Sequence, residues 1–254
     1  MTNVLLSAQN LTLSFGGIHA LQNVSFDVIE GEVFSIIGPN GAGKTSLFNL
    51  ISRIYKPDSG NIVFKGQNII KESPHRIAEL GIARTFQNTE LFEHETVLKN
   101  MLIGQHVHRR TNLLEELFFL PSVTRQELEF REVVEDVIDV LDLQRYRDQV
   151  IGNLPYGVRK MVEIARALCI QPTLLLLDEP SSGLNPEETE DVSFWIDDIN
   201  QGFGATIIMV EHDMNLVSRA STRVMALADG AVLAVGSSEA IQSHPEVQRA
   251  YLGD

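Results

Sequence analysis

The chain reads as an α/β protein in which a parallel sheet carries the chemistry, with an antiparallel part and a helical part attached. Three observations predict this. "VFSII" (Val33 to Ile37), "TLLLLD" (Thr173 to Asp178) and "ATIIMV" (Ala205 to Val210) are nearly unbroken apolar runs, as expected of strands covered on both faces in a parallel sheet. "LTLSF" and "VSFDV" instead alternate, putting Leu11, Leu13 and Phe15 on one face, and Val24, Phe26 and Val28 on another. That is the pattern of half-buried antiparallel strands. Between about Asn88 and Val150 the period changes again: "RQELEFREVVEDVIDVLDL" spaces Leu128, Val133, Val134, Val137, Ile138 and Leu141 along one face of a charged helix.

In chain order, the two alternating strands come first. The apolar strand at Val33 then runs into "IIGPNGAGKTSLFNLISRI", where Leu47, Leu50, Ile51 and Ile54 recur at helical spacing. "KPDSGNIVFKGQNI" is a turn followed by a strand that ends at another glycine, and the helical region follows. "GVRKMVEIARAL" places Val158, Met161, Val162, Ala165 and Leu168 on one side of a helix starting near Gly157. The other two apolar strands come next, and "DGAVLAVG" is a short hairpin element. There is no internal repeat and no low-complexity tract.

Composition narrows the function. With 254 residues, 44% of them hydrophobic, the chain can build a core without covalent staples. Its 34 acidic against 20 basic residues leave a net charge of -14, the wrong sign for a partner made of phosphate backbone; nucleic acid is not an expected partner. The one cysteine, Cys169, lies in a helical apolar pattern and reads as a buried, inert thiol, consistent with a reducing compartment. No run of 18 apolar residues occurs, and "MTNVLLSAQN" lacks a basic segment leading into an apolar one. A membrane role is therefore expected only through partners.

The strongest chemical signal is the strand-to-helix turn at Gly38. Gly38, Gly43, Lys44 and Thr45 satisfy G-x-x-x-x-G-K-[ST], the P-loop or Walker A pattern, between an apolar strand and a helix. The N–H groups of Gly38, Asn40, Gly41, Ala42 and Gly43 can curl round phosphates, with Pro39 in the same loop contributing shape but no donor, and the helix that includes Ser46 presents its positive end. Lys44 would reach the terminal phosphates and Thr45 would hold Mg²⁺. Ligands of open α/β sheets lie beyond the carboxyl ends of the strands. "LLLLDEP" puts Asp178 and Glu179 at one such end, for the Mg²⁺ shell and an attacking water; "IIMVEHD" puts His212 at another, where an imidazole can meet a γ-phosphate.

Taken in order, "GPNGAGKT", "RTFQN", "LPYGVRK", "LLLLDEP", "SGLN" and "VEHD" resemble the Walker A, glutamine loop, signature, Walker B, D-loop and switch histidine of the ATP-binding cassette (ABC) ATPases, across nearly the whole chain. The resemblance implies a RecA-like P-loop NTPase core in a single domain over 1–254: an antiparallel β part and Walker A core over 1–87, a helical subdomain over about 88–168, and the Walker B and switch core over 169–254. It also implies roles. Gln87 senses Mg²⁺ and water and couples to a membrane subunit, Glu179 is the catalytic base, and His212 contacts the γ-phosphate of ATP. Phe15 aligns with the aromatic that stacks on adenine, while its parity with Leu11 and Leu13 equally suits a core position.

Finer segments, "SFGGIHALQNVSF", "GIARTFQNTELFEHETVLKNMLIGQH", "RRTNLLEELFFLPSVTRQE", "NLPYGVRKMVEIARAL" and "AYLGD", resemble the ATP-binding subunits of branched-chain amino acid importers. Implied partners are two transmembrane permease subunits, a second ATPase subunit and, indirectly, an extracytoplasmic solute-binding protein. The implied place is the cytoplasmic face of the membrane. A soluble ABC-type ATPase and a non-hydrolysing ATP-binding module are the rival readings.

The signature departs from the family's usual L-S-G-G-Q, which meets the ATP held by the opposing subunit. Leu154 and Gly157 match; Pro155, Tyr156 and Val158 do not. Pro155 lacks a hydroxyl donor to a charged group, a loss of about 1.5 to 3 kcal/mol, but suits a helix entrance. Arg159 and Lys160 are expected to attract nucleotide or to form a solvated turn. Asn185 stands where the family commonly has Asp in the D-loop. These changes suggest that the chain works opposite a different ATPase subunit.

Overall fold

The computed structural model describes residues 3–85, 91–111, 115, 117, 118 and 120–252. The backbone divides into two compact units: Met1–Gln87 with Thr173–Asp254, and Asn88–Pro172. The first contains β1 (Val4–Phe15), β2 (Ile18–Ile29), β3 (Val33–Ile37), β4 (Ser59–Phe64), β5 (Gln67–Asn68), β6 (Ile82–Arg84), β7 (Leu174–Asp178), β8 (Thr206–Val210), β9 (Arg223–Ala228) and β10 (Ala231–Gly236). Helices in chain order are α1 (Lys44–Ile51), α2 (Pro74–Glu79), α3 (Val97–Gly104), α4 (Pro121–Val140), α5 (Tyr156–Leu168), α6 (Pro186–Gly202), α7 (Met214–Ala220), α8 (Ser238–Gln242) and α9 (Pro245–Leu252). Of these, α3, α4 and α5 belong to the second unit.

The two strand styles do form two sheets. One is antiparallel, in the order β2-β1-β4-β5; the other is six-stranded, in the order β10-β9-β3-β8-β7-β6. Within the second sheet β3, β8, β7, β6 and β9 pair in parallel, and only β10 runs antiparallel, at its edge. Every residue of β3, β7 and β8 is buried, as their unbroken apolar character requires. Leu11, Leu13, Val24, Phe26 and Val28 of the antiparallel sheet are buried as well, and Phe26 stacks on Phe34 of β3 with ring centroids 5.6 Å apart. That contact belongs to the main core of this unit. The sequence reading marks neither β6 nor β9. Three residues cannot display a period, and "RVMALA" is an apolar run rich in residues that also favour helix.

In the second unit, α4 buries Val123, Val134, Val137 and Ile138. Leu128, expected on that face, is 57% exposed; it lies six residues before Val134, about 120° round a helix of 3.6 residues per turn. Val133 is only half-buried. Helix α3 packs tightly on α5: a Cβ on Gly104 would stand 2.3 Å from the Arg166 carbonyl oxygen and 2.9 Å from Cys169 Cβ. Gln105 donates to the Cys169 carbonyl, and His108 Nε2 lies 2.8 Å from the Ile170 carbonyl oxygen. Cys169 is buried, and burial pushes its thiol up to about 12, so the thiolate does not form near neutrality.

Candidate nucleotide-binding and catalytic site

β3 delivers the chain into the glycine loop from the middle of the parallel sheet. A Cβ on Gly38 would lie 2.0 Å from the Leu227 carbonyl oxygen; one on Gly43, where φ is +102°, would lie 2.5 Å from that of Ala20. Both positions need glycine because neighbouring backbone occupies the space. Gly41 differs: φ is +83° but nothing lies within 4 Å of its Cβ position. The loop is thus wedged at its two ends and open at its crest. Ala42 is buried, Pro39 half-buried and Asn40 exposed.

Helix α1 begins after Gly43 with no side-chain cap and no acidic residue in its first turn, so its end carries uncompensated positive character. Thr45 is exposed and Ser46 half-buried on that turn. Lys44 folds back across the loop, its ammonium donating to the carbonyls of Gly38 (2.5 Å) and Pro39 (3.1 Å). Burial pulls the Lys44 pKa down, and the negative fields of Glu179 and Asp178 oppose that shift. Those fields place the cation and both acids in one electrostatic neighbourhood.

β7 ends on Asp178, which is buried. Its Oδ2 accepts from Arg84 Nη2 at 2.8 Å, and its N–H donates to Thr85 Oγ1 at 3.3 Å. Arg84 Nη1 also donates to Asn49 Oδ1 (2.7 Å) and Ser52 Oγ (3.0 Å), and the guanidinium lies 5.5 Å from the Phe48 ring centre. One arginine therefore links the Walker B acid to the C-terminal end of α1. Glu179 follows with φ at +50°, a left-handed backbone that is unfavourable for a side chain this long. Its N–H donates to the Val210 carbonyl (2.9 Å) and its own carbonyl accepts from Ser182 (3.1 Å), which hold the turn against β8.

The His212 side chain is 60% exposed just past β8. Phe15 closes β1 and is 46% exposed, meeting Tyr55 edge-on with centroids 5.3 Å apart; it does not share the burial of Leu11 and Leu13. Gln87 lies outside the described residues.

The signature is described within its own unit. Leu154 is buried, Pro155 is the N-cap of α5, and the helix starts at Tyr156, one residue earlier than the periodicity suggests. Again there is no side-chain cap. Gly157, Val162, Ala165 and Leu168 are buried, whereas Val158 and Met161 of the expected face are only half-buried. Lys160 is 2% exposed, so it is neither a solvated turn residue nor a surface attractor. The Arg159 guanidinium lies 5.8 Å from the Tyr156 ring centre and 4.0 Å from Glu93. Asn185 caps α6: its Oδ1 accepts from Glu188 N, and Glu188 Oε2 accepts from Asn185 N, both at 3.0 Å.

Sequence reasoning passed over Arg84 and Glu211 although both fall inside quoted motifs. The available signal was a charged residue closing, or directly following, a strand of otherwise buried apolar residues.

Strand, wedged glycine loop, bare helix end and buried lysine define a P-loop protein. A model described as ABC transporter matches residues 21–182, and one described as branched-chain amino acid ATP-binding cassette transporter matches 231–254. This chain belongs to the ABC transporter family. It is 40% identical over 254 residues, 100% of both chains, to the "High-affinity branched-chain amino acid transport ATP-binding protein BraF" of Pseudomonas aeruginosa. Its identity to LivG of Escherichia coli, a protein described in the same words, is 39% over the same length and coverage. Among solved structures it resembles a nucleotide-free ATP-binding cassette from an ABC transporter (TM-score 0.85, 30% identity, 99% and 100% of the two chains). It also resembles such a cassette in its ADP conformation (TM-score 0.86, 31% identity, 100% of both).

Proposed function

We propose that the chain is the ATP-binding and hydrolysing subunit of a branched-chain amino acid importer. What carries the hydrolytic reading is the neighbourhood just described: a loop open at its crest, and Lys44 sharing one field with the two carboxylates of the β7 end. The importer reading rests on full-length likeness to BraF and LivG.

Phosphoryl transfer asks a protein mainly for positioning and charge. Loop N–H groups and the end of α1 receive the phosphates, and Lys44 shifts its ammonium from the Gly38 and Pro39 carbonyls to phosphate oxygens. Phe15 stacks on adenine. Glu179 accepts a proton from water as the water oxygen bonds to the γ-phosphorus and the bridge to the β-phosphate breaks, giving ADP and phosphate. His212 donates to the γ-phosphate. The Thr45 hydroxyl and the Asp178 carboxylate are hard oxygen donors that suit Mg²⁺, a cation that keeps several waters and needs few protein ligands. Gln87, outside the described residues, would contribute to that shell. Mg²⁺ would supply charge neutralisation on the phosphates.

Leu154, Pro155, Tyr156 and Gly157 serve the ATP of a second, different ATPase subunit, so that nucleotide closes the pair. Two permease subunits convert closure into transport of a solute delivered by an external binding protein. Among the described residues no helix is long and apolar enough to cross a membrane. In this reading the subunit acts from the membrane's cytoplasmic face through those partners. The test is ATPase activity with and without co-expressed permease and partner ATPase. Stimulation by the assembled complex supports the reading, and full cooperative activity of the lone chain refutes the hetero-pair.

A further inference from the structure

We propose that Glu211 is a positioning residue whose carboxylate staples the segment after the catalytic base to the segment that bears the switch histidine. The inference rests on the proposed role of His212 and deepens it. Glu211 is 0% exposed, just past the end of β8. Its backbone N–H donates to the Ile36 carbonyl of β3 at 3.3 Å, two residues before Gly38. Its Oε1 accepts from Ser181 N at 2.8 Å, two residues beyond Glu179. Its Oε2 accepts from His212 N at 2.9 Å and from Asp213 N at 3.3 Å. Three segments with a stake in the nucleotide thus meet at one residue: the strand into the glycine loop through its backbone N–H, and, through its carboxylate, the turn after the base and the His212–Asp213 turn that enters α7.

A buried carboxylate is costly unless it is paired or hydrogen-bonded, and bonds to a charged acceptor are about twice as strong as neutral ones. Here backbone N–H groups do the compensating. The need is reciprocal, because an apolar side chain would strand the buried Ser181 donor. The arrangement also demands two acceptor oxygens on one rigid plane, since one faces Ser181 and the other faces the histidine turn. Glutamine has the right shape but a single acceptor. Whichever way its amide sits, an NH₂ group confronts a backbone donor, and one end of the staple opens.

The side chain of His212 is mostly exposed, and its Nδ1 stands 3.9 Å from Glu211 Oε2. Its backbone is pinned by the same carboxylate to the turn carrying Glu179. When one moves, the other follows.

Glu211→Gln in the full-length chain tests this. Expected results are a melting temperature near that of the parent, an ATP dissociation constant within threefold, and a kcat at least tenfold lower in the assembled transporter. Amide hydrogen exchange in the nucleotide-free chain should quicken at least tenfold at Ser181 or at the His212 and Asp213 pair, with the Glu179 amide unchanged. Unaltered exchange at all three amides overturns the proposal, and so does a fall in ATP affinity and melting temperature that matches the loss of kcat, since that marks a merely structural residue. Should the variant not fold, the unaltered protein decides: the three amides should share one opening free energy within about 1.4 kcal/mol, a tenfold rate difference. Independent opening of Ser181 beyond that margin refutes the staple. Exchange needs no catalysis, so failure of the hydrolytic reading leaves this result standing and separable.

Discussion

Two kinds of helix entrance contrast among the described residues. Helices α2, α3, α6, α7 and α8 begin with Ser73, Thr96, Asn185, Asp213 and Ser237, each of which accepts from an N–H of its own first turn. Helices α1 and α5, which carry the Walker A lysine and the signature, begin with Gly43 and Pro155 and have no side-chain cap. A cap stabilises by about 1 kcal/mol, so its omission at both motifs forgoes stability and leaves N–H groups available to an anion. Helix α4 is also bare, but Pro121 at its start removes one of the donors that would need a partner. The contrast separates ends that serve the fold from ends reserved for phosphate.

The largest expected effect comes from the strand end beside the bare α1. Glu179→Gln should lower steady-state ATP hydrolysis by roughly 10² to 10⁴-fold, the usual worth of a positioned base, with nucleotide affinity nearly unchanged. A variant that still turns over would reassign the base.

Lys44→Met comes next. Loss of charge-assisted bonds to phosphate, about 1.5 to 3 kcal/mol, should weaken ATP binding about tenfold to a hundredfold by calorimetry. Burial lowers the Lys44 pKa, so the charged form costs stability at every pH below its folded value, and that cost fades as pH rises through it. The nucleotide-free variant should therefore be at least as stable as the parent at pH 7, and its advantage should shrink under alkaline conditions. A destabilised apo variant would show that Lys44 serves the fold after all.

Asn185→Ala probes the other kind of entrance. It removes the reciprocal Asn185–Glu188 cap and should cost about 1 kcal/mol in urea unfolding without altering ATP affinity. A tenfold drop in affinity would erase the distinction between the two classes.

The smallest effect concerns the second unit. Arg147 donates to Glu135 and holds its carboxyl below the usual range. A depressed acid contributes stability above its unfolded pKa, about 4.3, and loses it as pH falls through the lower folded value. The pair is partly exposed, so screening leaves only a few tenths of a kcal/mol. Glu135→Gln should differ from the parent by that amount at pH 7 and converge with it in acid.

Local pattern revealed much of this protein. The glycine loop was legible because its spacing serves backbone geometry, and β3, β7 and β8 because strands covered on both sides have no polar face. Asn185 illustrates the opposite: in sequence it is a departure from the D-loop, and in the structure it is the better half of a capping box. Lys160 reads as a surface charge because charge usually means exposure, yet its helix turns it inward. Arg84 and Glu211 were hidden for a further reason, since Asp178 lies 94 residues from Arg84 and Ser181 lies 30 from Glu211.

Order along the chain by itself determined the fold class, the phosphate loop and the acid-bearing strand end, because period, glycine spacing and strand termini are local quantities. Only the tertiary structure decided which charges are buried and what compensates them. That Asp178 answers to Arg84, and Glu211 to the amides of Ser181, His212 and Asp213, follows from desolvation, which depends on what surrounds a group in space and not on what precedes it in the chain.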